Sequence, residues 1–124
     1  MISNNKKFSL ADRASSFRFA FAGIASFVRS EHNAWIHLAA AAGVIILGWL
    51  VRISAGEWIA IILCMAMVIA AEIINTAIEK IMDHLSPARH PAVKTIKDLA
   101  AAAVLVTALA AFVIALIIFI PKFI

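Results

Sequence analysis

The sequence predicts an all-α membrane protein, with three membrane-spanning helices and an N-terminal helix that lies along the membrane surface. Apolar residues make up 65% of the 124 residues, and the mean hydropathy is +1.02. A small single domain of this composition could hardly stay in aqueous solution alone. Three apolar runs, at about residues 33–52, 58–82 and 97–120, reach the roughly 20 residues that a helix needs to cross a bilayer.

The first predicted element, at about residues 10–30, has two different faces. Its apolar residues recur at helical spacing, while serine and arginine side chains gather on another face. The apolar positions are Leu10, Ala14, Phe17, Phe21, Ile24 and Val28, and the polar ones are Ser15, Arg18, Ser26 and Arg29. An amphipathic helix of this kind lies in the plane of the membrane interface. The pattern leaves open whether the helix is only an anchor or also contacts substrate.

The three spans follow in order, with short joints between them. The first span begins near Asn33, and its small-residue patch at 39–43 lets another helix backbone approach closely. A tight turn around 52–56 leads into the second span, which Ser86-Pro87 and His90-Pro91 end. The third span is expected to start near Lys97-Asp98 and to stop at Pro121.

The basic residues predict the orientation of these spans. Nine of the eleven lysines and arginines fall on one side of the membrane: Lys6, Lys7, Arg13, Arg18, Arg29, Lys80, Arg89, Lys94 and Lys97. Only Arg52 and Lys122 fall on the other. Because lysine and arginine are retained on the cytoplasmic side, the N-terminus is expected inside and the C-terminus outside. The net charge of +4 fits anionic lipid headgroups better than nucleic acid.

A polar stripe within the second span is the strongest functional signal. Glu72, Asn75, Glu79 and Asp83 lie three, four and four residues apart, so they share one face of the helix. A charged residue near the bilayer centre costs roughly 2.5–3.5 kcal/mol, which implies that water, metal, substrate or another side chain accompanies it. At about 1.5 Å per residue, Glu72 is expected about 9 Å inside the cytoplasmic boundary, with Glu79 and Asp83 at the boundary.

These positions suggest different chemical roles for the residues: proton removal, metal binding and neutralisation of phosphate charge. Glu72 could remove a proton from a headgroup hydroxyl, while Glu79 and Glu31 are hard oxygen ligands of the kind that Mg²⁺ prefers. Lys94 and Lys97, at the same boundary, could neutralise a phosphate during transfer. The sequence contains neither a P-loop nor GxGxxG, so a nucleotide would be held by helix side chains and metal.

Plainer interpretations remain open for several of these residues. Glu31 and Lys97 could be solvated charges at the interface, Asn75 could join packed helices, and Asp98 could cap the third helix. A different class of function is also possible, in which Glu72 and Glu79 relay ions or protons through a non-enzymatic bundle. A small accessory subunit is a third possibility.

At this point the sequence resembles a known family. Residues 71–79 read AEIINTAIE, with Asp83, Lys97-Asp98 and the Ala-Ala-Val-Leu of 102–105 at family-like distances. This pattern closely resembles the prokaryotic diacylglycerol kinases, a family that includes undecaprenol kinases, and the resemblance covers about residues 16–120. It implies a bacterial inner-membrane homotrimer of three-span protomers, each with a surface helix, and active sites built between neighbouring protomers. It also implies ATP as co-substrate, Mg²⁺ as cofactor and a lipid alcohol as acceptor.

The resemblance assigns roles to individual positions. Glu72 matches the general base, Asn75 its polar neighbour, and Glu79 with Glu31 the metal-binding carboxylates. Lys97 matches the phosphate-contacting lysine and Asp98 its acidic companion. Asp83 and His90 match positions on the nucleotide side, and Arg18 of the surface helix is a further candidate for a nucleotide contact.

Two departures from the family pattern bear on the substrate. Ala22 precedes Gly23 where many members carry lysine, and the alanines of 100–103 lack the serine of diacylglycerol-specific members. These departures favour undecaprenol as the substrate and leave diacylglycerol as the alternative.

Overall fold

A computed structural model, which describes residues 7–86, 88 and 90–124, consists of four α-helices. These are α1 (Leu10–Ser30), α2 (His32–Leu50), α3 (Ala55–Leu85) and α4 (Pro91–Phe123). Helices α2, α3 and α4 are each long and apolar enough to cross a membrane. The prediction of an all-α chain with three candidate spans is therefore confirmed.

Helix α1 occupies the predicted range and is joined directly to α2. Ser9 caps its start by accepting a hydrogen bond from the backbone N–H of Asp12. Glu31, in an extended conformation, separates the two helices, and its own N–H donates to the Phe27 carbonyl at 3.1 Å. Phe27 is the buried residue of α1, and most of the remaining helix is exposed. The membrane-surface placement of α1 stays a prediction.

The turn between α2 and α3 is tight and well capped. Arg52 adopts the left-handed conformation, with φ of 55°. Ser54 and Glu57 then form a capping box, in which each side chain accepts a hydrogen bond from the backbone N–H of the other residue. Gly48 lies against Ile53 and Trp58 here, so its lack of a side chain permits the close approach of α2 to the turn and α3.

Helices α3 and α4 form the most extensive pairing, an antiparallel hairpin fixed at both ends by ion pairs. Asp83 near the end of α3 pairs with Lys97 near the start of α4, and Lys122 at the far end donates to Glu57 at 3.1 Å. The core of the hairpin comprises Ile61, Ile118 and Phe119, together with Ile53 from the preceding turn. Apart from this small core, many large apolar side chains face outward, as expected of helices solvated by lipid.

The helix ends differ from the sequence predictions in α3 and α4. Helix α4 begins at Pro91 rather than near Lys97, because proline is favoured in the first turn, where its missing N–H leaves no bond unmade. His90 caps this helix through Nδ1, so the suggestion that Asp98 caps it is wrong. The predicted breaker Pro87 and the basic residues Lys6 and Arg89 lie outside the described residues.

Pro121 does not end the last helix, contrary to the prediction. Proline cannot donate to the carbonyl four residues earlier, here Ile117, but only two helical residues follow it. The Lys122–Glu57 ion pair holds this final turn against α3. The loss of a backbone bond near a helix end is therefore tolerated.

Candidate active site

Glu72 is a buried carboxylate in the C-terminal half of α3, with 6% of its surface exposed. Its Oε1 atom lies 2.6 Å from Nε2 of His37, which belongs to α2. The antiparallel packing of α2 on α3 brings the two residues to the same level. Burial together with one short polar contact makes Glu72 the most constrained acid of the polar stripe.

His37 is a site residue that the sequence analysis missed. It stands near the start of α2 with apolar neighbours on both sides, and an ionisable residue inside a membrane span is by default a candidate for function. That signal was present in the sequence. The spacing within one helix could not reveal its partner, however, because the partner lies 35 residues away on α3.

Asn75 and Glu79 lie one turn apart on α3, further along the stripe. The Asn75 amide nitrogen donates to Glu79 Oε1 at 3.4 Å, so Asn75 contacts Glu79 in this structure. Its carbonyl oxygen Oδ1 is buried and has no hydrogen-bond partner within the described part of the chain. A buried oxygen acceptor without a donor lies where a cation or a substrate hydroxyl could satisfy it.

An open cleft of about 570 Å³ lies where α3 passes into α4. Five polar or charged residues predicted for the cytoplasmic boundary line it: Asp83, His90, Lys94, Lys97 and Asp98. Lys97 pairs with Asp83, and Lys94 pairs with Asp98 at 2.5 Å. The structure thus gathers these residues at one place, but the companion of Asp98 is Lys94 rather than Lys97.

Two predicted site residues lie apart from this group. The guanidinium of Arg18 on α1 stacks over the Phe19 ring, 5.4 Å from its centroid. Glu31 is half-buried at the joint between α1 and α2, in no hydrogen bond or ion pair through its side chain among the described residues. Across residues 7–86, 88 and 90–124, no group of three or more His, Cys, Asp or Glu side chains converges on a point suited to a metal ion.

The family model for prokaryotic diacylglycerol kinase matches residues 18–119 of the chain. The chain belongs to the prokaryotic diacylglycerol kinase family. It is therefore a membrane lipid kinase that uses ATP as co-substrate. This assignment confirms the resemblance and favours the kinase interpretation over an ion pathway.

Two curated relatives of this diacylglycerol kinase family member carry different names. The chain is 43% identical to an undecaprenol kinase of Bacillus subtilis, over 86% of this chain and 87% of that protein. It is 33% identical to a diacylglycerol kinase of Synechocystis, over 80% of this chain and 57% of that protein.

In this diacylglycerol kinase family member, the surroundings of α3 change from apolar to charged along the helix. An apolar groove of about 250 Å³ between α2, α3 and α4 has His37 in its lining, while the charged cleft lies towards the opposite end of the stripe. Glu72 and Asp83 are eleven residues apart, or about 16 Å along the helix axis. The same helix therefore joins a region suited to a lipid chain with a region suited to a nucleotide.

Proposed function

We propose that this lipid kinase transfers the γ-phosphoryl group of ATP to undecaprenol, giving undecaprenyl phosphate. The undecaprenol kinase relative supports this substrate, since its match is more similar and covers more of both proteins. The alanines of 100–103, in place of the serine of diacylglycerol-specific members, agree with it. Diacylglycerol, giving phosphatidic acid, is the second candidate, and the Synechocystis relative is the observation in its favour.

The observation that carries the proposal is the buried carboxylate of Glu72 in an apolar helix. A lipid alcohol lies with its chain in hydrocarbon and its hydroxyl near the interface, where Glu72 can accept the hydroxyl proton. The alkoxide oxygen then bonds to the γ-phosphorus, the bond from that phosphorus to the β,γ-bridging oxygen breaks, and ADP leaves. Asn75, one turn away, orients either the lipid hydroxyl or the carboxylate of Glu79, to which its amide donates.

We assign the nucleotide to the charged cleft. Lys97 can exchange the Asp83 carboxylate for a phosphate, because an exposed ion pair contributes only about 0–1 kcal/mol. Positioning and neutralising the phosphates is the main protein contribution to phosphoryl transfer. In this proposal Lys97 contacts the transferred phosphoryl group, Asp98 supports the lysine pair, and Asp83 and His90 face the nucleotide, with Arg18 as a further contact from α1.

The residues present fit a Mg²⁺ ion that accompanies ATP. Glu79 and Glu31 would supply carboxylate oxygens, and the unsatisfied Oδ1 of Asn75, one turn from Glu79 on α3, is a further hard oxygen. We propose Glu31 and Glu79 as the protein ligands. When bound, Mg²⁺ would neutralise phosphate charge and hold the β- and γ-phosphates in place.

We propose that the enzyme is a homotrimer in the bacterial inner membrane, with its N-terminus inside, its C-terminus outside and α1 on the membrane surface. Three observations support shared active sites: the mostly exposed small residues of 39–43, the Glu31 side chain that is in no hydrogen bond or ion pair among the described residues, and the lack of a three-ligand group among those residues. A neighbouring protomer could supply the missing ligands.

The proposal is tested with purified protein, ATP and Mg²⁺, and each lipid in turn. We expect the kcat/KM for undecaprenol to be higher than the kcat/KM for diacylglycerol. Glu72→Gln should abolish turnover of both lipids while nucleotide binding is retained. Glu57→Gln is the matched control, because Glu57 is an acid at the opposite end of α3, and it should stay active.

The outcomes separate the parts of the proposal. Turnover of diacylglycerol alone would reject the undecaprenol assignment but keep Glu72 as the base. A fully active Glu72→Gln enzyme would reject the base assignment whichever lipid is used.

A further inference from the structure

Nε2 of His37 lies within hydrogen-bonding distance of Oε1 of Glu72, across the α2–α3 contact. The two atoms are 2.6 Å apart, and His37 is the one side-chain hydrogen-bond partner of Glu72 among the described residues. A carboxylate that acts as a base must be ionised and can only accept, so in the proposed mechanism the imidazole donates this hydrogen bond. The exposed fractions of the two side chains are 24% and 8%, which leaves little water to replace this contact.

No other side chain holds the Glu72 carboxylate within the described part of the chain. The Asn75 amide is directed to Glu79, and the Lys97 ammonium to Asp83. The groove beside His37 is otherwise lined by apolar side chains and the Cys64 thiol. The direction in which Glu72 presents its second oxygen therefore depends on His37.

We propose that His37 is a positioning residue for the reaction: it holds Oε1 of Glu72 so that Oε2 faces the lipid hydroxyl. This inference rests on the proposed role of Glu72 as the base. Helix α2 contributes no other predicted catalytic group. In this inference its role is to hold the base, Glu72, in position on α3. His37 does not itself take the proton from the lipid.

A purely structural link between α2 and α3 would predict different behaviour. If the pair only joined the two helices, its loss would lower stability and leave the kcat of the folded enzyme unchanged. If His37 orients the base, its loss lowers kcat in protein that is still folded. Misplacing a reacting group by about 1 Å can reduce a rate by about 10²-fold.

Two substitutions of His37 separate these alternatives. His37→Leu introduces an apolar side chain of similar size and removes the hydrogen-bond donor. We expect a kcat about 10²-fold lower with an unchanged KM for ATP. His37→Gln replaces the imidazole N–H with an amide N–H, and should recover most of the lost kcat. Leu47→Ala, which alters the packing of α2 against the hydrophobic core outside that groove, is the control for altered packing and should keep the wild-type kcat. Thermal unfolding in detergent is measured for every variant.

The results can overturn the inference without touching the proposed function. Wild-type kcat in His37→Leu, together with an inactive Glu72→Gln, would reject the positioning role and keep Glu72 as the base. Equal losses in His37→Leu and His37→Gln would also reject it, because the donor would then be irrelevant. A fully active Glu72→Gln enzyme would remove both proposals.

Discussion

At the scale of single residues, the charged cleft contains two lysine–carboxylate pairs of unequal environment. The Lys97 side chain is 35% exposed, while that of Lys94 is 77% exposed. A half-buried ammonium beside an open cleft meets a phosphate with less competition from water than a solvated one. Lys97 is therefore the better placed of the two for the transferred phosphoryl group.

We expect Lys97→Met to reduce kcat by about 10²–10³-fold, the usual effect of removing one preorganised charge stabiliser. The folded protein should lose little stability, because exposed ion pairs contribute about 0–1 kcal/mol. Steady-state kinetics with ATP and lipid measure the first effect, and thermal unfolding the second. Lys122→Met is the matched control, since Lys122 also pairs with an acid of α3 but lies at the far end of the hairpin. Equal activity of the two variants would contradict the assignment of Lys97.

Individual site residues were predictable from the sequence to different degrees. Glu72 could be recognised because a carboxylate in an apolar span needs a reason to be there. Its contact with His37 could not, since helix periodicity relates residues three or four positions apart and gives no information on which helices pack together. The resemblance pairs Asp98 with its neighbour Lys97, whereas in the structure Asp98 pairs with Lys94, four residues earlier on the same helix face. Residues adjacent in sequence point to different faces of a helix, so the i,i+4 spacing was the better guide.

At the scale of helices, Gly48 determines how closely α2 approaches the turn and the start of α3. A Cβ atom added there would lie 3.0 Å from both the Ile53 and Trp58 side chains. We expect Gly48→Val to lower the free energy of unfolding by about 1–3 kcal/mol relative to Gly56→Val, because overpacking forces neighbouring side chains to move. Gly56 lies in the first turn of α3 with open space around it, so Gly56→Val makes the same substitution in a helix without overpacking. Unfolding in detergent measures the difference, and equal stability of the two variants would count against this packing.

The helices themselves were largely predictable, and their ends were less so. Length and hydropathy locate α2, α3 and α4, because a bilayer demands about 20 apolar residues from any spanning helix. Helix α4 extends beyond its apolar run because Pro91 is favoured in the first turn and the His90 side chain caps the helix ahead of it. A proline near the end of that helix, such as Pro121, loses too little bonding to stop it.

At the scale of the whole molecule, the distribution of basic residues predicts that residue 7 and residue 124 lie on opposite sides of the membrane. Cysteine is introduced at Lys7 or Ile124 in a Cys64→Ala background, and a membrane-impermeant thiol reagent is applied to vesicles of known sidedness. We expect Lys7→Cys to react only from the cytoplasmic side and Ile124→Cys only from the outer side. Reaction of both from one side would contradict three spans.

The assembly proposal concerns which protomer completes each site. Glu31 stands at the α1–α2 joint, and within the described residues it forms no group of three or more potential metal ligands with the α3 carboxylates. If a neighbouring protomer's Glu31 completes the site around Glu79 and Glu72, two inactive variants should complement one another. Glu31→Gln and Glu72→Gln are each expected to be inactive as pure oligomers.

Co-refolding of these two variants should restore activity, because some sites in the mixed trimers then combine an intact Glu31 from one protomer with an intact Glu72 from another. The double variant, which carries both substitutions in one chain, is the control. When it is refolded alone, every site in the trimer is defective. The measurement is lipid phosphorylation as a function of the mixing ratio, with cross-linking to confirm mixed trimers. Activity that stays at the level of the pure variants in confirmed mixed trimers would mean that Glu31 and Glu72 of a site belong to the same chain.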